Sequence, residues 1–165
     1  MSTRSRMPEK RMCPEASRVP AERERQFGGW RSASMSDTGL VRSHNEDAFV
    51  ELPEQQVWLV ADGIGGQDAG DLASRTVIEK VAAMPLRNRL SDQIVELSSR
   101  IQSANAVLVA EGQRRGRDVV IGSTVAGLLL DGRHAVCVWA GDSRIYRLRD
   151  GCLRQLTRDH RWVED

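Results

Sequence analysis

Apolar positions along the chain change their spacing several times, and each change marks an expected element. Residues 1–29 have no apolar period. Pro8, Pro14 and Pro20 stand there among charged and small residues, and the segment is expected to be disordered or an upstream extension. Structured sequence, 30–165, begins at Trp30, where residues 30–33 read as the opening of a strand. Residues 48–52 and 57–61 predict two strands joined by the polar loop 53–56. Ala69, Leu72, Ala73, Thr76, Val77, Lys80 and Val81 then follow a helical period, with Asp68 placed to cap its start. A second helix is predicted over about 91–111, with Ile94, Leu97, Ile101, Ala104 and Leu108 on one face and Gly112 and Gly116 ending it. Residues 123–130 and 134–140 alternate around Asp131-Gly132, which predicts a β-hairpin, and 144–148 with 153–156 predict another around Asp150-Gly151. Strands, two long helices and then hairpins make an α+β arrangement with antiparallel sheets, and argue against alternating βαβ units.

Composition narrows the class without changing that picture. The 165 residues are 40% hydrophobic and 28% charged, ordinary values for a globular domain with its own core. No run approaches the ~18 consecutive apolar residues of a membrane span, and the basic N-terminus lacks the apolar stretch of a secretory signal. Residues 1–34 hold eight Lys/Arg and four Asp/Glu, leaving sixteen against nineteen in 35–165, a net of −3. The body therefore lacks the basic surplus of a nucleic-acid binder. Cys13, Cys137 and Cys152 have no metal-ligand spacing and fit a reducing compartment, so the expected location is the cytoplasm, with no membrane or nucleic-acid partner.

Two acidic clusters sit at strand ends. Asn45-Glu46-Asp47 precedes the strand that starts at Ala48, and Asp62-Gly63 terminates the apolar run 57–61. Carboxylates at the ends of neighbouring antiparallel strands can converge, and like charges placed close together call for a cation. All-oxygen ligation suits Mg²⁺ or Mn²⁺, and Gly63, lacking a side chain, lets its carbonyl approach the same ion. From these positions alone the plainer reading is favoured, with Asp62-Gly63 a turn and Glu46-Asp47 a solvated loop. Gly63-Ile64-Gly65-Gly66 ahead of a helix also invites comparison with a dinucleotide-binding turn. That fingerprint fails, because its third glycine would fall on Asp68.

Longer stretches decide between these readings. The run 37–47 (Asp-Thr-Gly-Leu-Val-Arg-Ser-His-Asn-Glu-Asp) resembles the opening motif of the type 2C family of metal-dependent protein Ser/Thr phosphatases. Residues 60–66 with Ala69-Gly70 and Ala73-Ser74 resemble the second motif, and Gly122-Ser123-Thr124 the third. Ala140-Gly141-Asp142-Ser143-Arg144 with Tyr146, then 156–160 (Leu-Thr-Arg-Asp-His), resemble the fourth and fifth. The resemblance is to bacterial members, and residues 137–144 are similar to phosphatases that accompany type VI secretion systems and oppose a Ser/Thr kinase.

The resemblance implies a sandwich of two antiparallel β-sheets flanked by antiparallel helices. It implies hydrolysis of phosphoserine and phosphothreonine on proteins by a metal-activated water, with two or three Mn²⁺ or Mg²⁺ ions in a complete domain. Asp47 and Asp62 would ligate the metal pair, Asp62 bridging, with the Gly63 carbonyl in the shell and Glu46 holding coordinated water. Arg42 would grip the substrate phosphate, and Asp142 would help bind a third ion. Phosphorylated proteins, a cognate kinase among them, would be the partners. Ser123 and Thr124 have no base beside them and read as structural, and His44, His134 and His160 do not pair at ligand spacing.

The family's pattern continues beyond the fifth motif with two more metal-binding aspartates, one in an Asp-Asn pair that this sequence lacks. Asp131-Gly132 and Asp150-Gly151 read as hairpin turns, and Asp165 is the last residue. The chain is thus expected to be the N-terminal portion of such a domain, its C-terminal portion missing, with open sheet edges and activity in doubt. A non-catalytic, phosphatase-like regulatory or binding module is the alternative.

Overall fold

The computed structural model describes residues 25–27, 30–65, 69–116 and 119–160. Strands β1 (Arg25–Phe27) and β2 (Trp30–Ser32) form a two-stranded ladder. A five-stranded antiparallel sheet follows, built from β3 (Asp47–Leu52), β4 (Val57–Ile64), β5 (Gly122–Ser123), β6 (Val125–Asp131) and β7 (His134–Ala140). Between β4 and β5 come the helices α1 (Ala69–Ala82) and α2 (Leu90–Arg115). A separate hairpin of β8 (Tyr146–Arg149) and β9 (Cys152–Gln155) comes last.

Alternation along β4 sets the geometry of everything else. Val57, Leu59 and Ala61 are buried, while Val60, Asp62 and Ile64 are exposed. Successive side chains of a strand point to opposite faces, so the first set meets the helices. There it packs with Val77 and Val81 of α1, Leu97 and Ala104 of α2, and Val125 and Leu129 of β6 in one apolar cluster. Asp62 belongs to the other face. Register carries that division across the sheet: Asp47, Phe49 and Glu51 stand opposite Asp62, Val60 and Trp58, and Ala48, Val50 and Leu52 opposite Ala61, Leu59 and Val57. The far end of the sheet is closed by side-chain amides, Gln55 Nε2 donating to the Met84 carbonyl (2.9 Å) and Gln93 Nε2 to the Gln55 carbonyl (2.8 Å).

The expected class holds: α+β, with antiparallel sheets and flanking helices. Several boundaries move for identifiable reasons. The helix expected over 91–111 runs from Leu90 to Arg115, with Gly112 buried inside it. Only Gly116 ends it, its amide bonded to the Gly112 carbonyl (3.1 Å). The strand expected over 123–130 is broken at Thr124, whose hydroxyl takes a place in the ladder described below. The strand expected over 144–148 starts at Tyr146, because Arg144 is drawn into an ion pair with Asp159 and the Ile145 amide donates to the Thr157 hydroxyl (3.1 Å). Arg25–Phe27 pairs with Trp30–Ser32, so three residues of the segment 1–29 have strand structure. The rest of that segment, the Asp68 cap, Gly66 and Asp165 lie outside the described residues.

Candidate metal centre

β3 and β4 bring the acidic clusters together. Asp47 and Asp62 are direct cross-strand partners on the face away from the helices. The Gly63 amide donates to the Glu46 carbonyl (3.0 Å), which extends the ladder past the strand end and holds Glu46 beside the pair. Asn45 Oδ1 accepts from the Asp47 amide (3.0 Å), an Asx turn that aims the chain into β3.

Helix α1 begins immediately against this corner. A Cβ on Gly63 would stand 1.8 Å from the Gly70 carbonyl oxygen. A Cβ on Gly70 would stand 2.4 Å from Glu46 Oε1 and 2.9 Å from the Gly63 carbonyl oxygen. The absence of both side chains lets the strand end, the first turn of α1 and the Glu46 carboxylate share one space.

Asp62 records the crowding. Loss of solvation pushes its carboxyl above the usual value, and repulsion from Asp47, Asp142 and Glu46 pushes it further, with Arg42 opposing. Three carboxylates thus act on a fourth, Asp62, and Arg42 is the cation that opposes them. Arg42 is exposed and makes no hydrogen bond or ion pair with another described side chain, so its guanidinium is available to an anion. Asp47, Asp62 and Ser143 line a cleft of about 260 Å³ together with Met35, Ser36 and Phe49.

Such a donor set fits a hard divalent cation. Like charges directly opposite on neighbouring strands destabilise a sheet, and oxygen donors with carboxylate charge are what Mg²⁺ and Mn²⁺ take. Among the described residues no three Asp, Glu, His or Cys side chains close into a complete cage.

Two further motifs brace it. Thr124 Oγ1 accepts from the Asp62 amide (3.1 Å), and the Thr124 amide donates to the Asp62 carbonyl (2.8 Å). Thr124 and Ser143 share a hydroxyl–hydroxyl hydrogen bond (2.6 Å). The Gly141 carbonyl accepts from the His160 amide (3.0 Å), His160 Nδ1 faces the Gly141 amide (3.3 Å), and the His160 ring stacks on Trp139. The structural role expected for Thr124 is therefore specific, and Ser143 and Gly70 are site residues that the sequence reading did not single out. The signal for Gly70 was its place in the helix start beside Asp62-Gly63.

A sequence model described as Protein phosphatase 2C matches residues 40–162, most of the chain, including Arg42, Glu46, Asp47, Asp62, Gly63 and Asp142. The chain belongs to the protein phosphatase 2C family. Its relatives in the family include the serine/threonine protein phosphatase PstP of Mycobacterium tuberculosis, 34% identical over 81% of this chain and 26% of PstP. Another is the serine/threonine phosphatase stp of Listeria welshimeri, 33% identical over 79% of this chain and 54% of stp. Among solved structures, PppA, a key regulatory component of the type VI secretion system in Pseudomonas aeruginosa, superposes with a TM-score of 0.75 at 41% identity, covering 79% of this chain and 56% of PppA. The catalytic domain of PstP has been solved with two manganese ions. This 2C chain spans about half the length of stp and about a quarter of PstP.

Proposed function

We propose that this chain carries the metal-binding corner of a protein Ser/Thr phosphatase that hydrolyses phosphoserine and phosphothreonine on proteins. The observation that carries the proposal is the cross-strand pair Asp47–Asp62, with Glu46, Asp142 and Arg42 acting on the same point. In this reading Asp47, Asp62 and the Gly63 carbonyl hold Mn²⁺ or Mg²⁺, Glu46 positions coordinated water, and Asp142 serves a further ion. The cations, when bound, acidify a water and neutralise phosphoryl charge. Arg42 binds the phosphate of the substrate, its planar fork matching two oxygens at once. The exposed position of the pair leaves room for a phosphorylated side chain of a protein rather than a small enclosed substrate. Bacterial relatives named as Ser/Thr phosphatases support the substrate class. A cognate Ser/Thr kinase as partner, and the cytoplasm as location, belong to the same proposal.

A second reading has its own support. Among the described residues the ligand set is incomplete, which favours a phosphatase-like module that binds a metal or phosphoprotein without turning it over. Mn²⁺-dependent hydrolysis of a phosphothreonine peptide by the purified chain separates the two. Turnover that needs Mn²⁺ and falls to background in Asp62→Asn is the expected result for the enzyme. A folded chain that takes up Mn²⁺ without turnover supports the binding module.

A further inference from the structure

The ladder beside Asp62 contains an irregularity. β4 pairs with β5 at Gly63 and Ser123 and with β6 at Val60 and Ala126, so Thr124 stands where a regular strand would offer Asp62 its carbonyl. The carbonyl is instead taken by the Ser123 hydroxyl (2.9 Å), and the Asp62 amide donates to the Thr124 hydroxyl. A side chain has replaced a backbone acceptor at the residue where the carboxylates converge.

That hydroxyl also reaches across to the loop carrying Asp142. Thr124 Oγ1 accepts from the Asp62 amide and also hydrogen-bonds Ser143 Oγ, either hydroxyl being able to donate. Gly141 presses on the same side chain: a Cβ there would stand 2.8 Å from Thr124 Cγ2, and its φ of +96° suits glycine. The loop around Asp142 is thus fastened at Gly141 by His160, at Ser143 by Thr124, and at Arg144 by Asp159. Only the Thr124 tie runs directly to Asp62.

We propose that Thr124 and Ser143 are positioning residues, a two-hydroxyl tether that fixes the Asp142 loop against the Asp62 backbone and so sets where the Asp142 carboxylate stands relative to Asp62 in the metal centre. Its consequence for metal binding rests on the metal-centre reading above, but the tether does not. Thr124→Val keeps the shape and removes the hydroxyl, Thr124→Ser keeps the hydroxyl, and Ser143→Ala cuts the tether from the other end. Groups that hydrogen-bond to a metal ligand and hold it in place change metal affinity roughly 10–100-fold. Mn²⁺ titrated by calorimetry into the full chain is expected to bind that much more weakly to Thr124→Val and Ser143→Ala. Thr124→Ser should bind close to wild type, and the double variant no worse than either single one, as groups in one network are not additive. Amide exchange followed by mass spectrometry should speed up over residues 140–144 in both single variants. Unchanged exchange there overturns the tether, and a lower melting temperature with unaltered Mn²⁺ affinity overturns its role in positioning the metal centre. Should Thr124→Val fail to fold, Ser143→Ala decides alone. A wild-type chain that takes up no Mn²⁺ overturns the metal-centre reading instead, and the exchange data then uphold or overturn the tether.

Discussion

Asp47 and Asp62 face each other across β3 and β4 as one cross-strand pair, on the side of the sheet that the helices leave open. A fold has no stability reason to keep two carboxylates there. Opposed like charges cost a sheet about 0.2–1 kcal/mol after screening, and a cation reverses the sign. In EDTA, Asp62→Asn is therefore expected to melt higher than wild type by roughly 1–4 °C. Mn²⁺ should raise the melting temperature of wild type and leave the variant unmoved. The metal-free pH dependence follows the same sign. A carboxyl held above 3.8 keeps its proton longer folded than unfolded, so wild-type stability falls as pH rises from 3.8 through the raised value. The slope should be absent in Asp62→Asn, and equal slopes by thermal melts would refute it.

Gly70 offers a test that replaces no ligand. A methyl group there meets the Glu46 carboxylate and the Gly63 carbonyl together. Gly70→Ala is expected to cost about 1–3 kcal/mol by overpacking. It should also weaken Mn²⁺ binding, because the two oxygens must move. Denaturant melts and calorimetry on the same variant would show it. A stable Gly70→Ala with normal Mn²⁺ affinity would mean that the corner has slack.

Most of the fold was legible because its periods were clean. Strand β4 alternates, α2 repeats Leu97, Ala104 and Leu108 on one face, and Asp150-Gly151 makes a turn with positive φ at both residues. The acidic pair was legible because antiparallel strand ends must meet. Side chains substituting for backbone were not. Nothing in the spacing of Gly122-Ser123-Thr124 says that a hydroxyl accepts the Asp62 amide, and nothing in the spacing of Arg144 and Asp159 says that an ion pair delays β8 by two residues. Such contacts depend on distant loops meeting, which periodicity does not encode.

Glu111 controls the end of α2 in a pH-dependent way. It accepts from Arg114 and Arg115 in the last turn, and those hydrogen bonds hold its carboxyl at about 2 against an ordinary 4.5. A depressed carboxylate contributes stability that is fully present above 4.5 and is lost as pH falls toward 2. Both arginines are exposed while Glu111 is half-buried, so solvent screens the interaction and the effect is small and salt-sensitive. Glu111→Gln should be less stable than wild type at pH 6 and indistinguishable from it near pH 2. A difference that persists at pH 2 would assign the loss to helix packing instead.

The β8–β9 hairpin is fastened mainly at its open end. All eight strand residues are exposed, including the cross-strand pair Leu148 and Leu153, and two-stranded hairpins are marginal alone. Its ties are the Arg144–Asp159 pair (2.6 and 3.0 Å), the Ile145 amide on the Thr157 hydroxyl, and the Leu156 amide on the Ile145 carbonyl (2.8 Å). The pair raises the Arg144 guanidinium further above its already high range, so the arginine stays charged at any ordinary pH. Asp159→Asn removes the charge and keeps the shape. Local opening should then become more frequent, and trypsin should cut at Arg147, Arg149 or Arg154 roughly two- to fivefold faster. The global melting temperature should stay close to wild type, because no residue of the hairpin belongs to the core cluster. Equal cleavage rates would show that the backbone ties suffice. A large fall in melting temperature would show that the hairpin is coupled to the core.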